Sequence, residues 1–418
     1  MKKKRAFVIG GGLAGLSAAT LLASKGVFVE LIEGANQAGG RCRSYFDPQL
    51  GQTIDNGNHL VLSGNHGVRD YLKRIGARGN LAGPDKAVFE FMDVSTGEHW
   101  HLAPNEGLFP WWITSSGRRV PGTGARDYFS IAKLMFAGPK QKISEVISCK
   151  GVLWEKLLRP FLLAALNTAP EESSAQLAGH IVRETLAKGG HACHPRIATP
   201  TLAAAFIDPA LAYIQKQGGN IRLGQRVRNI VYGEGAVHAL ELPEATLPVT
   251  SSDIVILAVP PWVASELVTG LTVPDDFRAI VNAHFKIAPK PGAPAMVGVL
   301  GGTAEWVFAF EDRISVTVSG ADALVDKDRE ELARLLWADV AKVHGLGADL
   351  PSWQIVKEKR ATFAATPAQD AKRPKARTAW QNLFLAGDWT DTGLPATIEG
   401  ALRSGHKAAS LALHRIRL

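Results

Sequence analysis

The tightest constraint on this chain is a strand, a glycine loop and a helix at its N-terminal end, followed at once by a second strand that stops at an acid. Ala6 to Ile9 reads as a short buried strand, Gly10-Gly11-Gly12-Leu13-Ala14-Gly15 fits G-x-G-x-x-G, and Leu16 to Ser24 reads as an Ala/Leu-rich helix. Val27 to Ile32 is the second strand, and Glu33 ends it. A dinucleotide needs this order. Gly10 makes the tight turn, Gly12 lets a pyrophosphate approach the backbone, and Gly15 lets helix and strand pack closely. The phosphates then meet the helix N-terminus, with Leu13 and Ala14 in its first turn. Glu33, 18 residues past Gly15, stands where an acid binds ribose hydroxyls, with Gly34 beside it. Dinucleotide binding is the expectation, and NAD and FAD both remain open at this point.

The same segment superficially copies a secretory signal, since Lys2, Lys3, Lys4 and Arg5 precede an uncharged run from Ala6 to Ser24. Gly10, Gly11, Gly12 and Gly15 interrupt that run where an inserted helix gains nothing from them, and a span wants about 20 predominantly apolar residues. Nothing later is a better candidate, because Ile254 to Ala264 is short and Pro260-Pro261 would break a helix there. Cys42, Cys149 and Cys193 are too widely spaced for a disulfide framework or a zinc pattern, which fits a reducing, cytoplasmic setting.

Two further segments favour the longer cofactor. Gly39-Gly40-Arg41 is a second glycine turn ending in an arginine, superfluous for NAD but able to clamp the phosphates of FAD. Far along the chain, Leu383 to Ala386 reads as a strand ended by Gly387-Asp388. Pro395-Ala396-Thr397-Ile398-Glu399-Gly400-Ala401 then opens a helix running towards Leu413, with Pro395 in its first turn. Asp388 would accept a hydrogen bond from a ribityl hydroxyl. The helix N-terminus at Ala396, Thr397 and Ile398 would stabilise charge at the flavin N1/O2 edge by about 0.3 to 2 kcal/mol. Between these segments, Gly218 to Leu223 and Val227 to Val231 read as one small β unit, and Ser252 to Pro261 as a buried strand running into a turn.

The 418 residues allow two or three domains, and 46% hydrophobic with 21% charged residues exclude wholesale disorder. The net charge of +8 suits an anionic partner such as cofactor phosphates or a membrane surface. Nucleic acid is disfavoured, because lysine and arginine are dispersed and no nucleic-acid module appears.

Through Gly10 to Gly15, Glu33, Gly39-Gly40-Arg41 and Ala386-Gly387-Asp388-Trp389-Thr390, the sequence resembles the flavin-dependent amine oxidase and phytoene desaturase superfamily. Four internal motifs narrow the resemblance: Asp55-Asn56-Gly57-Asn58-His59; Arg119-Val120-Pro121-Gly122; Trp154 to Pro160 with Ala165-Leu166-Asn167-Thr168; and Ile280-Val281-Asn282-Ala283-His284. Together they look like the squalene-associated FAD enzymes, the hydroxysqualene dehydroxylases of bacterial hopanoid synthesis. The resemblance spans most of the chain. It implies an α/β, two-domain flavoprotein: a Rossmann-like FAD-binding domain of residues 1–75, 200–262 and 375–418, and an inserted α+β substrate domain of residues 76–199 and 263–374. It further implies reductive dehydroxylation of a lipophilic isoprenoid, hydroxysqualene, to squalene, with a reductase or NAD(P)H as electron source. Gly57, Asn58, His59 and Val227 join the implied FAD contacts. Members of the family often carry glutamine where this chain has the shorter amide of Asn58.

Such a reaction needs an acid for the departing allylic hydroxyl, a hydride, and a dry apolar tunnel. His59 is the first candidate for the acid, with Asp55 as its orienter or rival; the plainer reading is that His59 packs beside the flavin and Asp55 caps a turn. Asn282 and His284 alternate along a strand and could both face the flavin. His191-Ala192-Cys193-His194 lacks a second ligand pair, so no metal is expected. The chain also lacks a G-x-S-x-G elbow and a P-loop Gly-Lys pair. An insoluble substrate demands reach into a bilayer. Phe109-Pro110-Trp111-Trp112-Ile113 and Tyr128 to Phe136, bordered by Arg126, Lys133, Lys140 and Lys142, are the candidate surfaces, which would make the protein peripheral on the inner face of the cytoplasmic membrane. The rivals are a carotenoid-type FAD desaturase or isomerase acting on a polyene, a flavin amine oxidase with Trp389 and Trp380 as flavin-facing aromatics, and a non-catalytic flavoprotein scaffold.

Overall fold

The computed structural model describes residues 4–417; Lys2 and Lys3 of the basic run lie outside them. Five short strands form a parallel sheet in the order Asn220–Arg222, Phe28–Ile32, Arg5–Ile9, Ile254–Leu257 and Leu383–Leu385. Its three inner strands are almost continuously apolar and buried, as a parallel sheet covered on both faces requires. Ala6, Val8, Val29, Leu31, Ile254 and Ile256 pack under the helices Leu13–Ala23, Asp208–Lys216 and Ile398–Arg417. Their neighbours Phe7, Ile9, Val255 and Leu257 face a three-stranded antiparallel sheet, Asn229–Gly233, Ala236–Glu241 and Thr246–Pro248.

Two local expectations change. Gly218 to Leu223 and Val227 to Val231 do not form one unit: Asn220–Arg222 extends the parallel sheet beside Phe28–Ile32, whereas Asn229–Gly233 pairs with Ala236–Glu241. Gly224, at φ +69°, turns the chain from one sheet to the other. The last helix begins at Ile398 rather than at Pro395, because Thr397 takes the cap position: its hydroxyl accepts the Gly400 N–H at 3.0 Å and its carbonyl the Ala401 N–H at 2.9 Å.

The second large sheet has seven strands, in the order Trp353–Phe363, Phe277–Phe285, Ile314–Val318, Trp306–Ala309, Met296–Leu300, Phe89–Asp93 and Glu98–Leu102. All its pairings are antiparallel except Met296–Leu300 with Phe89–Asp93. Alternation divides its residues. Val281, Ala283, Val316, Val318, Val307 and Val297 pack under the helix Arg329–His344. The opposite set, including Asn282, Thr317, Trp306, Phe308, Met296 and Phe91, forms a wall of the main cavity.

Candidate functional site

The cavity opens at the C-terminal ends of Arg5–Ile9 and Phe28–Ile32, where an open α/β sheet presents its loops. Gly10 adopts φ +108°, and a Cβ there would overlap the Ala258 carbonyl. A Cβ on Gly15 would overlap the Gly10 oxygen, so Gly15 sits behind the cavity and permits the close helix–strand approach. At Gly12 a Cβ would meet nothing within 4 Å, leaving backbone open to the cavity at the start of the Leu13–Ala23 helix. Glu33 fastens the loop: its carboxylate accepts the Gly11 N–H at 2.6 Å and the Ala35 N–H at 2.8 Å. Carboxylate oxygens each accept more than once, so both remain able to receive a ribose hydroxyl.

Arg41 and Asp388, 347 residues apart in the chain, form one ion pair at 2.7 Å, and Arg41 also donates to the Ala361 carbonyl at 2.5 Å. Asp388 raises the Arg41 pKa further against the opposing effect of burial. The expected phosphate clamp is therefore first a rivet between the Gly39-Gly40 turn and the C-terminal strand. Asp388 lines the cavity with its neighbour Gly387 and with Ala396, Thr397 and Ile398 of the helix start. Leu13, Ala14, Gly34, Gly40, Gly57, Asn58, His59 and Val227 line the same space.

The sheet wall grades from polar to apolar. On its first strand Glu358, Arg360 and Thr362 face in; next come Ile280 and Asn282, then Thr317 and Ser319. Asn282 and Thr317 are directly opposite in the ladder, and the Thr317 hydroxyl donates to Asn282 Oδ1 at 2.8 Å. The Asn58 amide reaches the Thr317 hydroxyl at 3.2 Å and the Val316 carbonyl at 3.3 Å. Beyond these lie Trp306, Phe308, Met296, Phe91 and Leu102, joined from the facing helices by Leu157, Leu158, Phe161 and Ile181.

Of His59, Asp55 and His284, only His59 reaches the cavity. His59 lines the cavity, where burial and the Arg41 charge lower its pKa to about 4 and favour the neutral imidazole. Asp55 is buried away from the cavity, where its carboxylate accepts Ser44 Oγ at 2.6 Å and the Leu202 N–H at 2.9 Å and lies 3.6 Å from Arg313. Among the described residues no hydrogen bond joins it to His59, so it neither orients nor rivals that ring. His284 shares the inward face with Asn282 but lies beyond the cavity, between Ser315 Oγ at 2.8 Å and the Asp55 carbonyl at 3.0 Å. Of the two strand residues, only Asn282 reaches the site. The His191–His194 loop is tied to Glu106 through both histidines, and Cys193 lines the cavity.

The cavity measures about 950 Å³ and runs without interruption from the Gly12 loop to the apolar wall. The residues fit FAD: bare backbone at a helix N-terminus for phosphates, an acid for ribose, a second helix start at Ala396–Ile398, and two buried amide oxygens. Those oxygens, Asn56 Oδ1 and Asn58 Oδ1, have no partner among the described residues, and both asparagines line the cavity.

A family model for flavin containing amine oxidoreductases matches residues 13–413. A hydroxysqualene dehydroxylase from Rhodopseudomonas palustris is 50% identical over 411 residues, 98% of each chain. One from Sinorhizobium fredii is 48% identical over 410 residues, again 98% of each. Among solved structures, cyclohexylamine oxidase from Brevibacterium oxydans superposes with a TM-score of 0.70 at 15% identity, covering 99% of both chains. Fold, site and sequence agree: the chain belongs to the flavin containing amine oxidoreductase family and, within it, groups with the hydroxysqualene dehydroxylases.

Proposed function

We propose that this protein is an FAD-dependent oxidoreductase that reductively removes the hydroxyl of hydroxysqualene to give squalene in bacterial hopanoid synthesis. The observation that carries this reading is the graded cavity, whose polar end holds the dinucleotide loop and whose other end is walled by Phe89, Phe91, Leu102, Leu157, Phe161 and Phe308. A long hydrocarbon bearing one hydroxyl matches that gradient. Bound and reduced, FAD supplies the hydride. The chain's own residues do the rest: the apolar wall binds the hydrocarbon and excludes water, and Asn58, Asn282 and Thr317 hold the hydroxyl end. His59 packs at the cofactor end as a neutral imidazole.

An amine oxidase would place Trp389 and Trp380 as aromatics facing the flavin. Trp380 instead stacks on Tyr232 at 4.3 Å, outside the cavity; Trp389 lines the cavity with its N–H tied to the Val259 carbonyl at 2.9 Å. The division into a cofactor domain of residues 1–75, 200–262 and 375–418 and a substrate domain of residues 76–199 and 263–374 belongs to this proposal, as do a reductase or NAD(P)H as electron source and a peripheral position on the inner face of the cytoplasmic membrane. Among the described residues no helix is long and apolar enough to cross a membrane. Anaerobic incubation of prereduced protein with hydroxysqualene tests the reading: squalene should appear as the flavin reoxidises. Flavin that stays reduced with hydroxysqualene unchanged sinks it.

A further inference from the structure

Removing a hydroxyl group needs a proton as well as a hydride, because hydroxide leaves poorly and water leaves well. Asp55 lies outside the cavity, and the His59 imidazole is held toward its neutral form. We propose that Glu305 is the proton reservoir and that the Ser319 hydroxyl passes its proton to the departing hydroxyl of the substrate. This inference rests on the functional reading just given.

Ser319 is buried, 6% exposed, and lines the cavity. It stands two residues beyond Thr317 on the same face of the sheet, so about 6 to 7 Å along the wall from the Thr317–Asn282–Asn58 cluster. Glu305, just before the Trp306–Ala309 strand, is not itself among the residues lining the cavity. Its carboxyl group accepts the Ser319 N–H at 2.7 Å, which sets it beside the Ser319 side chain, whose hydroxyl favours the carboxylate form. A serine hydroxyl accepts on one side while donating on the other, which is what a single-step relay requires. Trp306 and Phe308 stand on the neighbouring strand, so Ser319 lies where the wall passes from polar to apolar.

The charges around Glu305 leave the proton on it. Arg159 faces it from the Arg159–Leu166 helix, but is itself 3.8 Å from Glu171. Asp339, on the Arg329–His344 helix, is engaged by the Thr303 and Ala304 N–H groups at 2.6 and 2.9 Å. Asp93, near Gly301, is held by Ser95. Burial dominates and pushes the Glu305 carboxyl up to about 7, so at neutral pH a large fraction is protonated and the conjugate base forms without great cost.

The allylic C–O bond breaks and its oxygen leaves as water with the proton from Ser319 Oγ, which is refilled from Glu305. The new C–H bond would take its hydride from the reduced cofactor. Solvent then reprotonates the Glu305 carboxylate.

Two variants and one spectrum decide the matter. Glu305→Gln keeps an acceptor for the Ser319 N–H but carries no acidic proton; Ser319→Ala keeps the N–H and removes the relay. With FAD content unchanged, each should slow single-turnover squalene formation by about 100-fold or more. The wild-type rate should fall as pH rises through about 7, and that limb should vanish in Glu305→Gln. Independently of turnover, infrared titration of the oxidised, substrate-free protein should reveal a carboxylic acid band that disappears with a midpoint near 7, is absent in Glu305→Gln and shifts in Ser319→Ala. A Glu305→Gln protein with wild-type rate and pH profile, or no such band in the wild type, overturns the proposal. Should Glu305→Gln fail to bind FAD, the Ser319→Ala rate and the wild-type band carry the decision. A wild-type protein that yields no squalene overturns the functional reading itself, and with it this role, whatever the band shows.

Discussion

His284 shows how strongly one buried residue can tie this molecule's stability to pH. It is wholly buried between Ser315 and the Asp55 carbonyl, and burial together with the Arg313 charge lowers its pKa to about 3. An unfolded histidine takes a proton near 6.5. Between roughly pH 6.5 and 3, the unfolded chain therefore binds a proton that the folded chain refuses, so lowering pH favours unfolding. At pH 5 the effect of one such group is about 2 kcal/mol. The loss in urea midpoint between pH 7 and pH 5 should accordingly shrink in His284→Gln, whose amide can still donate to the Asp55 carbonyl. An equal loss in both proteins would show that His284 is not the group responsible. The same physics lowers the His59 pKa and raises that of Glu305: burial opposes the charged form, which for an imidazole is the acid and for a carboxyl group is the base.

At the scale of elements, what could be read in the sequence was whatever is local. The glycine loop, Glu33, Gly40-Arg41 and Gly387-Asp388 each lie within a few residues of a strand end, and their backbone requirements leave a signature. What could not be read is the cavity wall. Asn282, Thr317 and Ser319 carry no motif; they meet because Asn282 falls opposite Thr317 and Trp306 opposite Thr317 in a seven-stranded register, and register is a property of the folded sheet. Asp55 was misplaced for the same reason, since its partners Leu202 and Arg313 are far away in the chain. The C-terminal helix offers a test of how closely elements must approach. A Cβ on Gly405 would overlap the Ala14 carbonyl, and Ser17 donates to the Leu402 carbonyl at 2.8 Å across the same contact. Gly405→Ala gains about 1 kcal/mol of helix propensity but forces two backbones apart, at a typical cost of about 1 to 3 kcal/mol. The clash should prevail, because the obstructing atom is backbone and cannot rotate away. Melting temperature should fall, and FAD retention with it, since the displaced helix starts at the cofactor. A variant that melts at or above the wild type would refute this reading of the contact.

For the molecule as a whole, charge and exposed apolar surface coincide in one stretch of chain. Residues 108–150 contain seven lysines and arginines against two acids, a net +5 of the chain's +8. The same stretch exposes Leu108 (70%), Phe109 (79%), Phe129 (67%) and Phe136 (86%). Trp112 and Ile113 of the candidate membrane segments turn inward instead, and Trp112 packs against Tyr128 at 5.1 Å. That inner side belongs to the hydrophobic cluster of Phe91, Leu102, Leu157 and Leu158, which line the cavity. The outer surface thus backs directly onto the apolar end of the site, where a lipid-borne substrate would arrive. Anionic lipid attracts each nearby basic side chain by about 1 kcal/mol, and a buried Phe adds about 1.5 to 3 kcal/mol. Flotation with phosphatidylglycerol-containing vesicles should therefore carry the protein up at low salt and less of it at high salt. Phe109→Ser combined with Phe136→Ser should weaken vesicle binding at least tenfold without lowering the melting temperature, because neither side chain is packed. Turnover of hydroxysqualene presented in vesicles should fall in that variant, while turnover of detergent-dispersed substrate should not. Equal flotation of the variant and the wild type would show that Phe109 and Phe136 make no contact with the vesicles.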